Sequence, residues 1–223
     1  MNLIGDILPL AIGVVISPVA IITVILMLLS RRAKSNSLAF VLGWVIGLAA
    51  VGGVTLFLAE TQDLSPGSTP SVAISVILFV LGMLLLFLAY RQWMERPKPG
   101  QQPTMPKWLN FVDAVTPIRA AGFALLLSSV KPKNLLLTLA AALSIAQSDL
   151  GSTLSIIALI VFVFIASTSV AAPVMLFFIL GKSAAKTLDG WEAWLTANNA
   201  TVMFVLLIVF GMVLIGKSIN GIL

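Results

Sequence analysis

Ser128-Ser129-Val130-Lys131-Pro132-Lys133-Asn134 interrupts an otherwise apolar segment that opens after Arg119 and closes near Gln147. Lys131 lies 12 residues past Arg119. At helical rise that is roughly 18 Å, well inside a hydrocarbon core ~30 Å thick. Lysines at such depth cost about 2.5–3.5 kcal/mol each on insertion scales, so they must face protein, water or a ligand. Pro132 removes a backbone donor and disfavours helix at Lys131, which predicts a break there and a new helix starting at Pro132. The unpaired N–H groups of that new helix carry the same sign as the two ammonium groups beside them, the chemistry of an anion site. A shorter span would instead place the motif at an interface, with both lysines snorkelling to water.

Composition fixes the class around this stretch. The chain has 223 residues, 60% of them hydrophobic and 9% charged, with a mean hydropathy of +1.12. Soluble domains carry about 25% charged residues, so the pattern is that of a polytopic membrane protein. The net charge of +5 comes from loop lysines and arginines and does not point to nucleic acid. With no cysteine and no histidine, disulfides, thiolate metal sites and imidazole bases are excluded, and no cofactor is expected. Asp6 is the only charge before the first apolar run ends, so that run reads as a membrane helix and not as a cleaved signal peptide.

Outward from the central motif, six apolar segments follow one another: residues 3–30, 38–59, 72–90, 120–146, 153–180 and 200–215. The first is interrupted by Pro9 and by Ser17-Pro18. Gly43 and Gly47 give the second a GxxxG spacing, which predicts close helix contact within the subunit. In the fifth, Ser167-Thr168-Ser169 and Pro173 break the apolar character, and Pro173 is a candidate hinge. Residues 181–196 read as a polar loop whose Trp191 and Trp194 suit an interfacial belt. Residues 91–104 are rich in proline, lysine and glutamine, and residues 105–113 predict a short amphipathic helix lying on the membrane.

Basic residues set the expected topology. Arg31, Arg32, Lys34, Arg91, Arg96, Lys98, Lys107, Arg119, Lys182 and Lys186 fall in loops on one side, ten against Lys217 alone on the other. The bias places those loops in the cytoplasm and both termini outside it.

The two sides of the basic central loop look like a repeat. Ser17-Pro18 and Lys131-Pro132 each interrupt the first helix of their half, and similar apolar runs follow. Three spans per half give the halves opposite orientations, so the half-helices from Pro18 and Pro132 would aim their N-termini at a common centre. The expected fold is therefore all-α: six transmembrane helices as two inverted three-helix repeats with broken first helices. Residues 1–93 form the first repeat, 94–118 a cytoplasmic linker and 119–223 the second repeat.

The motifs Ser17-Pro18-Val19 and Lys131-Pro132-Lys133-Asn134, the six spans and the basic central loop resemble the LysE transporter superfamily, and within it the GAP or Sap family of glycopeptidolipid- and sulfolipid-addressing proteins. Amino-acid exporters of that superfamily usually show a PGP-like motif in the first helix and an NPK-like motif in the fourth. Here Val19 follows Pro18 and Lys131 precedes Pro132, departures that favour the lipid branch. The resemblance implies a transporter in the bacterial cytoplasmic membrane and not an enzyme.

The expected substrate is an anionic lipid or glycolipid, its head group held near the midplane by Lys131, Lys133 and the two half-helix N-termini at Pro18 and Pro132. Ser17, Ser128, Ser129, Asn134, Ser167, Thr168 and Ser169 would supply neutral hydrogen bonds, although a serine in a helix more often bonds back to its own backbone. Lys133, in the first turn of its helix, is expected to be the more dispensable lysine. An exporter of amino acids or another small solute on the same scaffold is the alternative. A homodimer or a larger cell-envelope export complex is compatible with the sequence, and nucleic acid is not an expected partner. No GxxxxGK loop for ATP is present.

Overall fold

The computed structural model describes residues 3–30, 32–60, 69–94, 115–148 and 150–219. All of its regular structure is helical: α1 (Leu3–Val15), α2 (Pro18–Leu29), α3 (Ala33–Glu60), α4 (Thr69–Met94), α5 (Pro117–Ser129), α6 (Pro132–Ala146), α7 (Gly151–Leu180) and α8 (Ala185–Ile219), with a 3₁₀ turn at Gly181–Ala184. Most of the 94–118 segment, including the amphipathic helix expected at 105–113, lies outside the described residues.

Four helices, α3, α4, α7 and α8, are each long and apolar enough to cross a membrane. The pairs α1–α2 and α5–α6 are bent by 51° and 63° at their breaks. Both angles are well short of a reversal, so each pair keeps its heading and can serve as one broken span, giving six. The protein is an all-α, multi-pass membrane protein. Its outer surface agrees, since Phe57, Phe87, Phe164 and Ile179 present most of their area outward, as hydrocarbon-facing side chains do.

Proline produces these breaks only where polar residues stand next to it. Ser17 adopts φ −119°, ψ 79° and Lys131 adopts φ −60°, ψ 121°, both outside the helical region, and Pro18 and Pro132 open the helices that follow. Pro9 and Pro173 sit inside helices that continue through them, so α7 has no break at the expected hinge. Residues 181–196 also differ from the expected loop. The 3₁₀ turn leads directly into α8, which holds Trp191 and Trp194 on its exposed side.

Small residues set the tightest helix contacts. A Cβ added at Gly43 would strike the Ala121 carbonyl, and one added at Gly47 would strike Ser128 Oγ, so α3 lies against α5 as the GxxxG spacing predicts. A second close approach was not read from the sequence: a Cβ at Gly82 of α4 would come within 2.9 Å of the Gly211 carbonyl of α8. The neighbours also follow a pattern. α3 runs along α5 as α7 runs along α1, α2 touches α8 as α6 touches α4, and α2 meets α7 as α6 meets α3. At one end of the bundle the Lys217 ammonium lies 3.0 Å from the Asp6 carboxylate. At the other, Lys34 stands 5.9 Å above the Phe178 ring.

Candidate functional site

The two broken helices meet at their breaks. Ser17 Oγ donates to Asn134 Oδ1 at 3.0 Å, and Asn134 Nδ2 donates to the Leu127 carbonyl at 2.9 Å. One asparagine therefore ties the start of α2 to the last turn of α5. Beside it, Lys133 Nζ donates to the Gly13 carbonyl at 2.5 Å and to the Ile16 carbonyl at 2.9 Å. Those carbonyls belong to the last turn of α1 and to the break beyond it, where a helix leaves its acceptors unpaired and its dipole is negative. A cation is the fitting partner for that end, and Lys133, 2% exposed, closes it.

This arrangement revises the part expected of Lys133. Two of its three N–H donors are held by backbone carbonyls from the other half of the chain. It is a fastening between the breaks.

Lys131 is placed differently. It is half-buried at the N-cap of α6, with no capping side-chain bond, while Val130 and Pro132 beside it are exposed. Its side chain lines a pocket of about 170 Å³ together with Pro132, Lys133, Leu88, Arg91, Gln92, Met203 and Leu207. The pocket thus collects three cationic residues and one amide at the start of a 15-residue helix, a setting that favours a negative group. Its flank on α4 consists of the last two turns before Met94. The pocket therefore reaches from the break toward the α4 end that the basic loops mark. Arg91 and Gln92 escaped the sequence reading. They directly follow the apolar run of α4, and Arg91 counted only toward the loop charge.

The remaining candidates separate into two groups. Ser17, Pro18, Ser128 and Asn134 are buried at or beside the breaks. Ser128 and Ser129 both donate to the Leu125 carbonyl, at 3.0 and 2.6 Å, so their hydroxyls are used within α5. Ser167, Thr168 and Ser169 stand apart from the cationic pocket. Ser167 and Thr168 donate to Val163 and Ile165 carbonyls in their own helix, and both line an apolar groove of about 630 Å³ between α3 and α7. Ser169 shares a cavity of about 320 Å³ with Ile21, Ala172, Trp191, Trp194 and Leu195. Among the described residues, no group of three His, Cys, Asp or Glu side chains is placed to hold a metal ion.

The family described as Sap, sulfolipid-1-addressing protein, matches residues 7–220. No curated protein and no solved structure matches the chain.

Proposed function

The chain belongs to the Sap, sulfolipid-1-addressing protein family, and from that membership we propose that it transports an anionic lipid or glycolipid across the bacterial cytoplasmic membrane. The observation that carries this reading is the pocket at the start of α6, where Lys131, Arg91 and Gln92 converge. At about 170 Å³ it has room for one head-group anion. Drug-sized ligands occupy roughly 300–1,000 Å³, so the hydrocarbon chains of the substrate would lie outside it. Arg91 offers a planar fork suited to an oxyanion, and Lys131 supplies a compact charge beside it.

The halves are read as inverted repeats on two grounds. A break falls at the same place in each, and three neighbour pairs, α3–α5, α2–α8 and α2–α7, exchange with α1–α7, α4–α6 and α3–α6 when α1–α4 are mapped onto α5–α8. The α1–α6 contact has no such counterpart among the described residues. The cytoplasmic face is the end carrying Arg32, Lys34, Arg91, Arg119 and Lys186, and both termini lie on the other. We read the function as transport and not catalysis: the chain has no histidine or cysteine, and its eight carboxylates fall in loops or near helix ends, leaving no evident general base at membrane depth.

Proteoliposomes holding the purified chain test the proposal. A fluorescent phosphatidylglycerol analogue should cross from one leaflet to the other faster than in protein-free vesicles, while a phosphatidylcholine analogue should not. The Arg91→Gln protein should slow the anionic analogue alone. Equal rates for both head groups would refute an anion-selective carrier.

A further inference from the structure

The groove between α3 and α7 shares no helix with the Lys131 pocket, which is built from α4, α6 and α8. Val41, Val45 and Ala49 form one wall, and Phe164, Ala171 and Met175 are part of the other. Its two hydroxyls, on Ser167 and Thr168, already donate within α7. An occupant would find hydrocarbon contact along nearly the whole groove and little else. A polar or water-filled role is thereby disfavoured.

The ends of the groove are unequal. Toward one end, Gly52 of α3 meets Leu159 of α7, so the helices come together. Toward the other, the same helix faces run on to charge. Lys34 lies seven residues before Val41, two helical turns along the same stripe. Phe178 lies three residues past Met175 on the α7 side, and the Lys34 ammonium sits over its ring. Lys34 and its neighbour Arg32 are both exposed. An apolar slot that ends under exposed cations, at the face where the basic loops gather, is complementary to one lipid lying parallel to the helices.

We infer that the α3–α7 groove binds one anionic lipid of the cytoplasmic leaflet, with a hydrocarbon chain between the two helices and its head group at Arg32 and Lys34. The assignment to that leaflet rests on the orientation proposed above; the site itself does not rest on transport.

Photolabelling separates these claims. The full chain is placed in phosphatidylcholine nanodiscs doped with phosphatidylglycerol carrying a diazirine in its acyl chain. Nanodiscs present both leaflets, so the outcome is independent of orientation and of transport. Labelling should concentrate on residues 41–49 and 156–175, and unlabelled phosphatidylglycerol should compete it away. Replacing both Arg32 and Lys34 by Gln, at exposed positions that leave the core intact, should weaken that competition by roughly ten- to thirtyfold, since each basic group at an anionic surface contributes on the order of a fivefold factor. Ala49→Phe should fill the groove and divert the label.

Labelling spread evenly onto the lipid-facing residues of α4, such as Val76, Met83 and Phe87, would overturn the site. Equal labelling by the phosphatidylcholine analogue would overturn the head-group assignment. Disulfide-linked dimers of an Ile160→Cys protein, in a chain otherwise free of cysteine, would show that a second copy and not a lipid fills the groove.

Discussion

The chain breaks twice in the middle of its bundle, and the two breaks have opposite fates. At Ser17-Pro18 the break itself is enclosed. Ser17 and Pro18 are buried, the end of α1 is closed by Lys133, and the start of α2 is tied to Asn134. At Lys131-Pro132 the chain is open on one side: Val130 and Pro132 are exposed, Lys131 is half-buried, and the break opens into a pocket with Arg91 and Gln92. The polar groups of both breaks come largely from the second one, since Lys133 and Asn134 occupy the positions that Val19 and Ala20 hold after Pro18. One break is thus made rigid by the other. A broken helix is tolerated at membrane depth when its freed backbone groups find partners in protein or face a cavity, and this protein uses one solution at each site.

The comparison is broken most severely at Lys133. Lys133→Met leaves the Gly13 and Ile16 carbonyls without a donor in a buried place, and should cost about 2–4 kcal/mol of stability in detergent unfolding. If that variant unfolds like the native chain, the first break does not depend on the second. A smaller loss is expected for Ser17→Ala, which removes one buried side-chain bond and should cost about 1 kcal/mol by the same measurement. A loss as large as that of Lys133→Met would mean that Ser17, and not the lysine, closes the break. The least effect belongs to Ser129→Ala. Its hydroxyl bonds only to its own helix, so unfolding should change by less than about 0.5 kcal/mol. A larger change would show that the second break is fastened more firmly than its exposure indicates.

Much of this was legible in the chain. A proline preceded by a polar residue inside an apolar run marks both breaks, because an unpaired backbone group needs a polar neighbour to be tolerated. Pro173 shows the limit of that signal. It follows Ala171-Ala172 in α7, with no polar residue immediately before it, and the helix continues through the lost bond. The spacing of Gly43 and Gly47 announced a close helix contact within the subunit but not that its partner is α5, whereas Gly82 and Gly211 lie too far apart in sequence to announce theirs.

The fastening of Lys133 was hidden for a related reason. Its acceptors are main-chain carbonyls 117 and 120 residues away, and a backbone carbonyl carries no residue-type signature. Arg91 was hidden by its position at the end of α4, where a basic residue is expected for topology alone. Residues 181–196 read as a loop from their polarity, yet polarity on a helix that stays half-exposed is compatible with helix.

The central claim is that the open break, and Lys131 in it, binds the charge of the substrate, while the closed break holds the fold. It is tested most directly by phosphatidylglycerol-analogue flux through proteoliposomes of the Lys131→Gln protein, beside its own unfolding curve. The account predicts native unfolding with flux reduced by roughly ten- to a hundredfold, the range expected for loss of a charge-assisted contact. Lys131→Arg should recover part of that loss. Native flux through a natively stable Lys131→Gln protein would contradict it.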